Sequence, residues 1–252
     1  MHCLLKSFSH YIDQLLHPAT FTDVCINGIQ VEGKPKISSI ATSVSATLNS
    51  IRKAKQLKVD ALVVHHGLFI KGKELVIQDS MRDKLKILLE EGITLLAYHL
   101  PLDAHPELGN NWPAAKILGF FDPEPFGASM GKYIGVRARC EPTTAVQMKK
   151  KLERFYGRKA ESACFGPKAI ERVAIVSGSG YKLLLDAVHE EVDCFITGTA
   201  DEPVWHQARE EKIHFFALGH AATEKLGVQL LGNHLAEQFG IKHTFIDDDN
   251  PF

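Results

Sequence analysis

The chain has 252 residues, 45% of them hydrophobic and 23% charged, with a formal net charge of −1. That is ordinary globular composition, enough for a sizeable core in one large domain or two closely joined ones. The balance of charge excludes a global basic field, so nucleic acid and anionic lipid are not expected partners.

The five cysteines, at 3, 25, 140, 164 and 194, are odd in number and form no CxxC pair. Free thiols in a reducing cytosol explain them better than a disulfide framework, so a cytoplasmic protein is expected. The start is not a signal peptide, because Lys6, His10 and Asp13 interrupt any apolar stretch. No apolar run approaches the roughly 20 residues that span a bilayer.

Along the chain, Leu4, Leu5, Phe8, Tyr11, Ile12, Leu15 and Leu16 recur at helical spacing, and Pro18 follows as a stop. Asn27-Gly28 is a turn signal. The segment "KISSIATSV" (36–44) reads as a strand, and Ser45 is placed to cap a helix over about 46–57. Next comes "VDALVVHH" (59–66), a short β-branched run suited to a strand buried on both faces of a parallel sheet. "DSMRDKLKILLEEG" (79–92) is a helix with Asp79 or Ser80 as cap and Gly92 at its C-terminal side. "ITLLAYH" (93–99) is a further strand. In the middle, "KYIGVRARC" (132–140) reads as a strand, and 144–156 as a helix capped by Thr143 and ended by Gly157.

The pattern then returns. "ERVAIVSGSGYKLLLDAVHEEVDCFITGTA" (171–200) repeats the order of "ISSIATSVSATLNSIRKAKQLKVDALVVHHG" (37–67), with Val59-Asp60 matching Val192-Asp193. "LLEEGITLLAYH" (88–99) corresponds to "AREEKIHFFALGH" (208–220). These repeats imply an internal duplication within one domain spanning 1–252: half one over about 1–120, a connecting segment over about 121–168, and half two over about 169–252. The fold class is α/β, two duplicated halves with mostly parallel sheets and right-handed crossovers.

Ligands of such sheets collect at the carboxyl ends of strands. His65 and His66 end one strand, His99 and Asp103 leave the next, and His220 and Glu224 follow the matching strand of half two. His220 and Glu224 lie four apart, a spacing that shares one helical face. If the halves face each other, His65, His66, Asp103, His220 and Glu224 converge between them. Three imidazoles and two carboxylates suit two divalent ions about 3.5–4 Å apart better than one open site. Nitrogen and oxygen donors without thiolate admit zinc, iron, manganese or nickel. Each piece has a plainer reading: the histidine pair as loop residues, Asp103 as a turn residue, Glu224 as a solvated helix residue. His99 and His206 read at most as supporting or substrate contacts, and His2, His10 and His17 as surface residues.

"VSGSGYK" (176–182) joins a strand to a helix, where its amides could hold a phosphate. It lacks the third glycine of a dinucleotide fingerprint and the GK[ST] of a P-loop, and a tight packing turn is the stronger reading. No GxSxG elbow, HExxH or zinc-finger spacing is present.

The motifs "NGIQVEG" (27–33), "HHGLFIKG" (65–72), "HLPLDAHPELGNN" (99–111), "FITG" (195–198), "GHAATEKLG" (219–227) and "FIDDDNP" (245–251) resemble the YbgI-type, NIF-three-like family. Its members often carry the label GTP cyclohydrolase I type 2 homolog. The resemblance runs from about residue 21 to the C-terminus. It places the family's dinuclear ligands on His65, His66, Asp103, His220 and Glu224. It further implies intertwined halves, the short form without an inserted domain, and a ring hexamer built from dimers. Two departures touch substrate preference: Thr199 follows "ITG" where relatives often have Glu, and Lys225 follows Glu224 where they often have Arg.

The expected function is therefore a metal-dependent hydrolase holding two divalent ions per chain. Its substrate would be a nucleotide or related phosphorylated compound. His99 is placed to move a proton, and Lys71 or Lys225 to neutralise a phosphate. A non-enzymatic metal-dependent adaptor or metal-handling protein fits the same ligands. A plain structural α/β domain is the third reading.

Overall fold

The β-branched runs of the sequence form the centres of two sheets in the computed structural model, which describes residues 2–252. The chain divides into two compact units. Unit 1 is the chain up to Leu102 together with Gly227–Asp249, and unit 2 is Asp103–Leu226 with Asn250–Phe252.

Unit 1 has a five-stranded sheet in the order Lys242–Phe245, Ser39–Ser45, Ala61–His66, Thr94–Ala97, Gly28–Val31. The first three pairings are parallel and the last antiparallel. The helix Leu5–Leu16 buries Leu5, Phe8, Ile12 and Leu16, the stripe expected from its spacing. The helices Leu48–Gln56 and Asp79–Glu91 add Ile51, Ala54, Leu85 and Leu88 to a core built on Leu62, Val64, Leu95 and Ala97.

Unit 2 has a six-stranded sheet in the order Phe121–Ser129, Lys132–Thr143, Ile170–Val176, Cys194–Thr197, His214–Ala217, Glu161–Cys164. Only the two central pairings are parallel. Alternate residues feed cores on its two faces: Val173, Ile175 and Ile196 on one, Ala174, Val176 and Phe195 on the other. A sheet covered on both faces explains why its central strands read as unbroken apolar runs.

Two expectations change here. The segment 121–168 is not a connection, because it supplies three of the six strands of unit 2 and the helix Ala145–Tyr156. Its first two strands form a hairpin through Met130-Gly131, both at positive φ, the geometry a two-residue hairpin turn requires. Unit 2 is accordingly mixed rather than mostly parallel. Residues 227–249 belong to unit 1 rather than to the second half. The middle five residues of Ser39–Ser45 are buried, and a strand so covered is a poor edge; Lys242–Phe245 pairs along its open side.

Helix starts also shift. Thr47, not Ser45, caps Leu48–Gln56 through a reciprocal pair of bonds with Ser50, while Ser45 is still in its strand. Thr144, not Thr143, caps Ala145–Tyr156 with Gln147 as its partner. Gln78 precedes Asp79–Glu91 without a side-chain cap.

The duplication is visible in single bonds. Asp60 Oδ2 accepts from the amides of Ser38 and Ser39 at 2.8 and 3.2 Å. Asp193 Oδ2 accepts from the amides of Glu171 and Arg172 at 3.0 and 2.8 Å. Each aspartate thus ties the start of its strand to the start of the preceding one.

Burial alone would raise the Asp60 carboxyl, but the Ser38 hydroxyl and amide, the Ser39 amide and the Lys34 charge outweigh it and hold it below its ordinary value. A carboxyl whose folded pKa is lowered stabilises the fold above its unfolded pKa of about 3.9 and loses that contribution as pH falls below it. Asp60→Asn should therefore flatten the loss of stability between about pH 5 and pH 2. Urea unfolding at a series of pH values measures this; equal acid sensitivity in variant and parent would contradict it.

Candidate metal centre

In unit 1 the strand Ala61–His66 delivers His65 fully buried and His66 half-buried at its end. Successive strand residues ordinarily point to opposite faces. The strand stops at His66, and the two rings lie with centroids 4.8 Å apart and planes tilted 53°. His65 Nδ1 is 3.0 Å from the Tyr98 carbonyl oxygen. A carbonyl only accepts, so Nδ1 carries the proton and the lone pair of the neutral ring lies on Nε2. His66 Nδ1 bonds Ser45 Oγ at 3.1 Å, from the residue paired with it across the sheet.

His99 joins this pair, its ring centroid 4.9 Å from that of His65 and 5.6 Å from that of His66. The three residues each bring a ring nitrogen within 4.8 Å of the others. Behind them stands Asp23, which composition and spacing did not single out. It is 3% exposed and accepts from His99 Nδ1 at 2.8 Å, Cys25 N at 3.0 Å, Asn27 Nδ2 at 3.0 Å and Leu100 N at 3.1 Å. Burial would raise this carboxyl, but the bond and charge of His99, with Asn27 and the Cys25 amide, hold it well below the usual carboxylate range. Asn27, read as a turn residue, also accepts from the His99 amide at 2.8 Å.

In unit 2, Asp103 is 5% exposed and its Oδ1 accepts from Asn110 Nδ2 and Ser177 Oγ, both at 2.8 Å. His220 Nε2 and Glu224 Oε1 are 3.2 Å apart. The expected single helical face is absent: a four-residue helix, His220–Thr223, ends before Glu224, and Lys225–Phe239 starts after it. The side chains meet nonetheless.

The loop Ser177–Gly180 supports this set. The Ser177 amide donates to Asn111 Oδ1 at 2.8 Å and the Gly178 amide to Thr223 Oγ1 at 3.0 Å. Ser179 Oγ meets His220 Nδ1 at 3.2 Å. A Cβ on Gly178 would lie 2.2 Å from Glu224 Oε1, so only glycine fits beside that carboxylate.

Lys71 is exposed in the turn after the Cys25–Ile70 bridge, and Lys225 is half-buried at the start of its helix. His206 is exposed beside Glu202 at 3.5 Å, and His105 Nδ1 accepts from the Glu107 and Leu108 amides at 3.2 and 3.0 Å. His2, His10 and His17 are on the surface, as read from the sequence.

The chain matches the Duf34/NIF3 (NGG1p interacting factor 3) family over residues 3–251. It belongs to that family. The GTP cyclohydrolase 1 type 2 homolog of Chlamydia pneumoniae is 42% identical over 245 residues, covering 96% of this chain and 97% of its own. The solved structure of protein YbgI superposes with a TM-score of 0.93 at 37% identity, over 99% of this chain and 100% of that one. TTHA1606 from Thermus thermophilus superposes at 0.92 with 34% identity and the same coverage. The α/β fold and the family inferred from the motifs are those observed.

The residues of this Duf34/NIF3 chain fit divalent metal. The donors are imidazoles and carboxylates oriented by fixed partners, the usual outer shell of a metal site. The one cysteine nearby, Cys25, is a poor ligand because burial pushes its thiol up.

Gly178 and Gly131 separate backbone strain from contact. Both have positive φ, +63° and +83°, but a Cβ on Gly131 meets open space. Gly131→Ala should cost about 1–2 kcal/mol from backbone conformation alone. Gly178→Ala should cost clearly more, because the Glu224 carboxylate must also move. Urea unfolding of the metal-free proteins compares them; equal losses would show that Glu224 does not occupy that space.

Proposed function

We propose that this protein is a dinuclear metal-dependent hydrolase acting on a nucleotide or related phosphorylated heterocycle. The observation that carries the reading is the fixed orientation of both donor sets: His65 by the Tyr98 carbonyl in unit 1, Asp103 by Ser177 and Asn110 in unit 2. His65 and His66 would ligate together with Asp103, His220 and Glu224, sharing two divalent ions: zinc, iron, manganese or nickel. Such a pair, when bound, acidifies water and polarises the bond under attack. Lys225, directly after Glu224, and Lys71, after the histidine pair, are the cations offered to a substrate phosphate. The nucleotide class is supported by the name of the 42% identical chlamydial relative, GTP cyclohydrolase 1 type 2 homolog.

Protein purified without a histidine tag should contain close to two ions per chain by elemental analysis. Asp103→Ala should remove most of both if its carboxylate bridges them; full retention would refute the bridge. With defined metal, a nucleotide panel should yield a hydrolysed member. Metal without turnover would favour a metal-handling or adaptor role instead.

The chain would work in the cytoplasm as a ring hexamer of dimers. Its five free cysteines accord with a reducing compartment, and no described helix is long and apolar enough to cross a membrane. Light scattering should give about six times the 28.0 kDa chain mass. A monomer at micromolar concentration would reject the assembly while leaving the metal site standing.

A further inference from the structure

The helix Ala145–Tyr156 of unit 2 carries positive charge that neither the sheet beside it nor the metal centre uses. Lys149, Lys150, Lys151 and Arg154 lie on it, and Arg158 and Lys159 follow the Gly157 cap. Some of these cations are taken up locally. Lys149 Nζ donates to Ser162 Oγ at 3.0 Å, Lys151 Nζ stands over the Phe120 ring, and Lys159 Nζ donates to Glu153 Oε2 at 3.1 Å. Lys150, Arg154 and Arg158 have no carboxylate partner among the described residues.

These three line one groove of about 470 Å³, together with Glu153, Gly157 and Lys159. Glu153 is the one acid of the groove, and it is engaged by Lys159 and by the Ala160 amide at 3.1 Å. The helix dipole accounts for Arg154 in the last turn but not for Lys150 before it. Lys150 and Arg154, four residues apart, are neighbours on one helix face, where like charges repel and weaken the helix. A bound anion removes that cost.

Arg158 joins the groove to the metal end of unit 2. It is half-buried, and its guanidinium lies against Gly219, the residue directly before His220. Gly219 has φ +96°, and a Cβ there would lie 2.7 Å from Arg158 Nη1 and 2.9 Å from its Cζ. Glycine at 219 therefore lets the guanidinium rest on the backbone. Nη1 also donates to the Asn250 carbonyl at 3.5 Å, a long bond that leaves most of the guanidinium N–H donors open. A guanidinium held in this way can grip phosphate oxygens in pairs.

Spacing selects the anion. Lys150 and Arg154 are about 6 Å apart along the helix axis, and Arg158 continues the row beyond the cap. One phosphate cannot fill such a row, whereas a chain of two or three can. The volume of the groove is that of a small-ligand site.

We infer that this groove is a polyphosphate subsite, in which Arg158, Arg154 and Lys150 hold the di- or triphosphate chain of a substrate whose other end lies toward His220. The inference rests on the phosphorylated-substrate reading above, and adds the class of that substrate and the residues that grip its phosphates.

Inorganic tripolyphosphate titrated into metal-free, full-length protein and followed by calorimetry tests the groove apart from any metal. Arg158→Gln and Arg154→Gln should each weaken binding about tenfold or more, and Lys150→Gln less. Lys168→Gln, an exposed cation outside the groove, should change nothing. Orthophosphate should bind the parent about tenfold more weakly than tripolyphosphate. Metal content by elemental analysis should be the same in Arg158→Gln as in the parent. Tripolyphosphate that does not bind, orthophosphate that binds as well, or Arg154 and Arg158 variants that bind like the parent overturn the subsite and leave the metal reading standing. A single-stranded RNA oligonucleotide that binds more tightly and displaces tripolyphosphate also overturns it, in favour of a nucleic-acid groove. Tripolyphosphate held in the groove by a parent protein that takes up no metal keeps the subsite and rejects the hydrolase reading.

Discussion

A wholly buried imidazole at the end of a strand must have its polar atoms matched by whatever follows. His65 is such a residue, and its Nδ1 partner is the carbonyl of Tyr98, just beyond the neighbouring parallel strand. Tyr98 is itself fully buried, and its hydroxyl donates to Asp13 Oδ1 at 2.8 Å on the first helix. Burial, followed by the adjacent Asp13, pushes the phenol well up, so it stays a donor. The orientation of His65 is therefore set through two elements, down to the helix Leu5–Leu16. Leaving a buried polar group unmatched costs about 1–3 kcal/mol, as much as burying a leucine contributes. The polar chain is held as firmly as the core beside it.

The same scaffold carries different chemistry in its two copies. Asp60 and Asp193 repeat one backbone clamp, and aligning them sets His65 opposite Gly198 and His66 opposite Thr199. The glycine is required. A Cβ on Gly198 would lie 2.6 Å from Thr223 Oγ1 and 2.8 Å from His220 Cα. In unit 2 the chain after the next strand occupies the space, so its donors come from that chain and from Asp103 rather than from the strand end. One copy thereby presents imidazoles from its strand, and the other a histidine with two carboxylates.

What could be read from the sequence follows from this. His65 and His66 end a recognisable strand, and the repeated order of elements locates His99 and His220, so periodicity was enough. Asp23 left no such trace. It precedes an irregular stretch and meets His99 across 76 residues of chain. Ser177 and Ser179 were visible as part of a turn, but their bonds to Asp103 and His220 depend on tertiary placement. Ser45 looked like a helix cap because serine favours that role; its register opposite His66 holds it in the strand instead. The fate of 227–249 was hidden for a similar reason. Its strand reads alike as a partner for either sheet, and the buried, unpaired side of Ser39–Ser45 decides between them.

Charge links the donor types to the proposed substrate. Neutral imidazoles add nothing to the ligand charge, so in the proposed five-ligand set only Asp103 and Glu224 would oppose the cations directly, with the Asp23 carboxylate behind His99. Two divalent ions, if held as proposed, would retain a net positive charge, and both carboxylates are 5% exposed or less. Low exposure strengthens every Coulombic term. Such a site would favour an anion, as a phosphorylated substrate would bring. An all-carboxylate set would cancel the charge and repel it.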